Sequence, residues 1–65
     1  MKKILNVTED YHDMRIDRWV KKKLFNVPQS LIEKSLRQGK IKVNNLIVKS
    51  AYKLKYKDKI YLYNF

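Results

Sequence analysis

Asp17 lies in the run Asp13-Met14-Arg15-Ile16-Asp17-Arg18-Trp19-Val20, with an arginine two residues before it and another directly after. A carboxylate among guanidinium groups can be a general base or a nucleophile. The same letters can also open an amphipathic helix whose outer face holds arginines against a phosphate backbone. Few other side chains could join a catalytic set. His12 is the only histidine and falls in the polar stretch Thr8 to Asp13, where solvent exposure is a better fit than general-base work. Glu33 stands beside Lys34 and near Arg37, so a surface ion pair is its expected fate. One histidine and scattered carboxylates are too few for a metal site. The chain has no cysteine and a single glycine, which leaves no thiolate ligand, no disulfide and no glycine-rich phosphate loop. No cofactor is expected.

The basic residues carry more information. Sixteen Lys and Arg face six Asp and Glu, a formal net charge of +10. Such self-repulsion is costly in a small fold unless a polyanion is the usual partner. The bland reading is a solvated lysine surface, and the spacing decides between the two. Arg15, Arg18 and Lys22 recur at offsets that share one helical face, and so do Ser30, Lys34 and Arg37. Gln29 and Ser30 follow Pro28 in the first turn of a second helix, where free N–H groups and the helix dipole favour a phosphate. Lys40, Lys42 and the amides of Asn44 and Asn45 extend the set into a turn. Arginine offers bidentate phosphate contacts and lysine a point charge. Each of these alone is a solvated group; together they predict a polyanion-binding face. Lys53 and Lys55 are expected to lie away from it.

These side chains need elements to hold them. Residues 3–7 read as a strand. Asp13 is a candidate N-cap for a helix from Met14 to about Phe25, with Ile16, Trp19, Val20 and Leu24 on its inner face. Within it Asp17 would suit the dipole of the first turns, with Lys21 as its partner four residues on. Pro28 suits the first position of a second helix running to about Gln38, with Leu31, Ile32, Ser35 and Leu36 inward. Gly39 is the expected left-handed residue just past its end. The period then changes to two: Ile41 and Val43 alternate with Lys40 and Lys42. Asn44-Asn45 is a hairpin turn, Leu46–Val48 its return strand, and Lys57-Asp58 a turn before Ile60 and Leu62. The prediction is an α+β fold: two short helices on one face of a small, mainly antiparallel sheet.

The chain is long enough for one domain, in which residues 1–8 form a leading strand, 14–38 a helix pair and 40–63 the hairpin and closing strands. A domain of this size buries only about 60% of the surface its unfolded chain exposes. The opening MKKILNV is too short in its apolar part for a signal peptide, and no apolar run could span a bilayer. Lys21-Lys22-Lys23 has no apolar face opposite it beyond what a core would use, so a membrane partner is not expected. A reducing, cytoplasmic setting is.

The segments RIDRWV, VPQSLIEKSLRQGKIKVNN and VKSAYKLKYKDKI, in that order, resemble the S-four RNA-binding domain named for the small-subunit ribosomal protein. The shared pattern is Arg-aliphatic-Asp opening a helix, a second helix ending in Arg-x-Gly, Lys-aliphatic-x-Val-Asn at a hairpin, and a closing aliphatic-Lys-x-x-Asp-x-Ile. It spans residues 14–62. Two positions depart from it: Lys57-Asp58 stands where Gly-Asp is usual, and Asn45 where glycine is common. The resemblance implies RNA contact through the helix pair and the hairpin, by shape and backbone more than by sequence.

Within that family, the leading strand and VPQSLI look most like the first domain of large-subunit rRNA pseudouridine synthases, where a separate larger domain performs the isomerisation. The catalytic motif there is Arg-aliphatic-Asp followed by small hydroxyl and glycine residues. Here Asp17 is followed by Arg18-Trp19-Val20, which continues a helix. Asp17 is therefore read as a helix residue, and the chain alone is not expected to be an enzyme. The alternatives are a free-standing small RNA- or ribosome-binding protein of the same fold, and a basic protein–protein adaptor. Trp19 fits a core position better than base stacking. Tyr61, Tyr63 and Phe65 would share the strand face opposite Ile60 and Leu62. Partial packing, a seam for a neighbouring catalytic domain, and a stacking platform for single-stranded RNA are the readings of that stripe, in that order.

Overall fold

The computed structural model describes residues 2–24 and 26–63. In chain order these form β1 (Lys2–Asn6), a single 3-10 turn (Glu9–Tyr11), α1 (Ile16–Lys23), α2 (Gln29–Arg37), β2 (Ile41–Val43) and β3 (Lys59–Tyr63). The strands make one antiparallel sheet in the order β1-β3-β2. Tyr61 stands opposite Ile4 on one side and Lys42 on the other, while Ile60 faces Leu5 and Val43. The alternation therefore sends Ile60, Leu62, Ile41 and Val43 inward. There they meet Ile16, Trp19 and Val20 of α1, Ile32 and Leu36 of α2, and Val7 and Leu54 from the connections. This is the anticipated α+β arrangement, with Trp19 fully buried at its centre.

Several local expectations change. Asp13 does not cap α1: its φ is +72°, and its own N–H donates to the Leu54 carbonyl. The first amides of α1 are taken instead by the backbone of residues 50–52, Ile16 N–H by the Tyr52 carbonyl at 2.8 Å and Asp17 N–H by the Ser50 carbonyl at 3.4 Å. Pro28 is the N-cap of α2 and not its first residue; its carbonyl accepts from Leu31 and Ile32. Leu31 is 45% exposed, so the inward face of α2 is Ile32, Ser35 and Leu36.

The end of α2 closes as expected. Gly39, at φ +77°, donates to the Leu36 carbonyl, and the Lys40 N–H reaches back to that of Ser35. That pair of bonds is a Schellman motif, and it aims the chain into β2. Asn44 and Asn45 adopt φ of +50° and +67°, and Val43 and Leu46 exchange backbone bonds across them. The return strand Leu46–Val48 does not form. After the single Val43–Leu46 pair the chain departs toward α1, whose free amides it must cap, and β2 pairs with β3 instead. Leu46 and Ile47 are left 66% and 61% exposed.

Candidate nucleic-acid interface

Asp17 organises the junction of the two helices. Its carboxylate is buried at the start of α1, and it accepts the Arg15 Nε–H at 3.2 Å and an Arg15 Nη2–H at 3.1 Å, a side-on fork. The Arg18 backbone N–H donates to it at 2.7 Å, and Gln29 Nε2 reaches it from α2 at 3.0 Å. Burial pushes the Asp17 carboxyl up. The hydrogen bonds from Gln29, Arg15 and the Arg18 amide, with the charge of Arg15, outweigh that and hold it below the ordinary carboxylate value. Asp17 thus joins the two helices and fixes a guanidinium that is itself half exposed. Lys21 takes no part. Arg15–Asp17 is the one ion pair among the described residues, and the pair expected for Glu33 with Lys34 or Arg37 is absent there. Glu33 accepts the second Gln29 Nε2–H at 3.0 Å instead.

Gln29, Glu33 and Arg37 follow at intervals of four along α2, so this stripe continues from Arg15 down the second helix. A groove runs beside it, lined by Glu33, Leu36, Arg37, Ile47, Val48, Lys49 and Ser50. Arg18 and Lys22 on α1, and Ser30 and Lys34 on α2, are exposed. The Gln29 and Ser30 N–H groups have no hydrogen-bond partner among the described residues, as the first turn of a helix allows. Lys49 joins the groove although it belongs to a connection with no periodicity to reveal it. Lys53 forms an isolated bridge with Arg15 and so sits beside the stripe, contrary to the remote position expected for it.

The hairpin residues divide differently. Both ends of the Asn44 amide are used inside the protein: Nδ2 donates to Asp58 at 3.0 Å, and Oδ1 accepts the Lys59 N–H at 3.0 Å. Asp58 also accepts the Lys55 N–H at 2.9 Å, so this buried carboxylate pins the closing turn to the hairpin. The Asn45 Oδ1 accepts the Tyr63 hydroxyl at 3.4 Å, and the Lys42 ammonium lies 5.7 Å from the Tyr63 ring. Lys42 and Asn45 therefore belong with the outer face of the sheet, and Lys40 is exposed at the entrance to β2. Phe65 lies outside the described residues.

Residues 14–60 match the family model of the S4 domain. This chain belongs to the S4 domain family. Its S4 domain is 46% identical over 57 residues to ribosomal large subunit pseudouridine synthase C of Buchnera aphidicola subsp. Schizaphis graminum, covering 88% of this chain and 18% of that one. It is 43% identical over 56 residues to the protein of that name from Pasteurella multocida, covering 86% and 17%. To the Escherichia coli K12 protein it is 38% identical over 58 residues, covering 89% and 18%. The chain thus spans less than a fifth of the length of these relatives. In this S4 domain Asp17 sits within α1, bonded to Arg15, the Arg18 amide and Gln29. Among the described residues, no helix is long and apolar enough to cross a membrane, and no cluster of three or more His, Cys, Asp or Glu could hold a metal ion.

Proposed function

We propose that this S4 domain is a non-catalytic module that binds structured RNA, gripping the backbone with the stripe that joins α1 and α2. The observation that carries this is the Arg15–Asp17–Gln29 clamp. It orients a half-exposed guanidinium at the helix junction, beside the free first-turn amides of α2 and in line with Arg37. Arg18, Lys22, Ser30, Lys34 and Lys40 would extend the contact on either side. Asn44 acts there as a brace for the turn, leaving Lys42 and Asn45 as the hairpin's contribution. The relatives are named as synthases acting on the large ribosomal subunit, so ribosomal RNA is the proposed target. The proposed role is that of the leading, targeting domain, residues 1–65, of such an enzyme in the cytoplasm.

A neighbouring catalytic domain packed on Tyr61, Tyr63 and Phe65 was the other partner raised by the sequence. The lysines around Tyr61 and Tyr63 make that seam the weaker reading. Filter binding to a large-subunit rRNA hairpin tests the helix stripe. Arg37→Ala should weaken binding by about 1.5–3 kcal/mol if its charge-assisted contact is made in full. Lys55→Ala, exposed and off the stripe, should change it little. Equal small losses from both would mean that only net charge counts, and the stripe would be abandoned.

A further inference from the structure

The register of the sheet places Lys2 and Ile4 of β1, Lys59, Tyr61 and Tyr63 of β3, and Lys42 of β2 on the face turned away from the helices. The core is already filled from the other side by Ile60 and Leu62, so the tyrosines are not needed to complete it. Their rings stand 6.3 Å apart between centroids and within 10° of parallel. The Lys2 ammonium lies 6.0 Å from the Tyr61 ring, and that of Lys42 lies 5.7 Å from the Tyr63 ring. Ile4, beside Tyr61, is 46% exposed. None of the three strands contains an Asp or Glu.

We propose that this outer face is a second RNA surface, which holds an unpaired segment by stacking consecutive bases on Tyr61 and Tyr63. Aromatic rings take bases of any identity on their faces, and stiff side chains lose little freedom in doing so. Near-parallel rings let neighbouring bases lie in the same sense. The ammonium now over each ring would swing aside as a base arrives and meet the phosphate that follows it. A packed protein domain is the poorer occupant, because it would strip water from Lys2, Lys42 and Lys59 and would have to offset that cost with acidic groups of its own. A polyanion satisfies them. Lys42 also borders the hairpin, so a single strand leaving a stem held by the helices could cross the sheet without a gap. The proposal does not depend on the helix stripe, and the two are separated by using different RNAs.

The test is fluorescence anisotropy with a labelled, unstructured oligoadenylate of about seven nucleotides, set against a blunt rRNA hairpin without single-stranded flanks. Tyr61→Thr and Tyr63→Thr, chosen because threonine keeps a strand, should each lower oligoadenylate affinity by about 5- to 100-fold. The hairpin affinity should stay within about 2-fold of the parent. Tyr61→Phe and Tyr63→Phe keep the ring and should bind like the parent. Circular dichroism checks that the threonine variants are folded. Lys2→Glu, at an exposed position, gives a further arm that keeps both rings, and it should also weaken the oligoadenylate selectively. Threonine variants that bind as well as the parent would overturn the proposal. So would phenylalanine variants that lose as much as the threonine ones. A parent chain that binds the hairpin but no oligoadenylate would also overturn it.

Discussion

At the scale of single residues, Asp17 shows how a suggestive motif becomes structural. Its carboxylate is buried and receives three kinds of donor, from Arg15, the Arg18 amide and Gln29. Removing it should cost about 1–3 kcal/mol at neutral pH, because Arg15 and Gln29 then lose their shared acceptor. The pH dependence has a definite sign. The folded carboxyl ionises below its ordinary value of 3.8, so its contribution is present above that pH and fades as the pH falls through the folded value. Thermal melts of Asp17→Ala and the parent should therefore differ at pH 7, and the gap should narrow as the pH falls below 3.8. An undiminished gap in acid would show that something other than the charge is at stake. Arg15 shares this double life. Arg15→Ala should lower both stability and RNA affinity. Arg37→Ala, off the core and outside the clamp, should move stability by no more than about 0.5 kcal/mol.

At the scale of elements, the two turns around β2 hold the hairpin in place. Gly39 closes α2 at φ +77°, and a Cβ added there would meet the Lys42 Cε at 3.2 Å. Gly39→Ala should cost about 1–2 kcal/mol from the left-handed backbone alone. In a domain of this size that corresponds to a melting temperature lower by about 4 °C or more. Asn44→Ala should also destabilise, because its amide ties β2 to both Asp58 and Lys59. Calorimetric melts check both. Gly39 and the Asn44-Asn45 turn were legible in the sequence because few residues tolerate positive φ, so their types announce the geometry. The helix faces were legible from their period. What escaped was long-range. Only contact with α1 draws residues 50–52 onto its first amides, which displaces Asp13 as the cap and dissolves the strand expected at Leu46–Val48. The same path brings Lys53 beside Arg15 and Lys49 beside Arg37. Leu31 missed the core because the inward arc of α2 is narrower than its apolar residues suggested.

At the scale of the molecule, a charge of +10 on 65 residues is arranged on two sides of one core. One side is the helix stripe, where a buried carboxylate fixes the Arg15 guanidinium. The other is the sheet, where lysines surround parallel tyrosines. Either arrangement should release counterions when it meets RNA, so affinity should fall by about 0.7–0.9 log units per log unit of salt for each phosphate neutralised. Incubation with rRNA transcripts followed by nucleoside mass analysis should find no pseudouridine made by this chain, since Asp17 is committed to the fold. Turnover abolished by Asp17→Asn would contradict that. The most direct measurement is a filter-binding series with a blunt large-subunit rRNA hairpin between about 50 and 200 mM salt. The parent should give a log–log slope on the order of −3, and Arg37→Ala one shallower by about one unit. A flat salt response at measurable affinity, or an unchanged slope in Arg37→Ala, would contradict phosphate binding by the helix stripe.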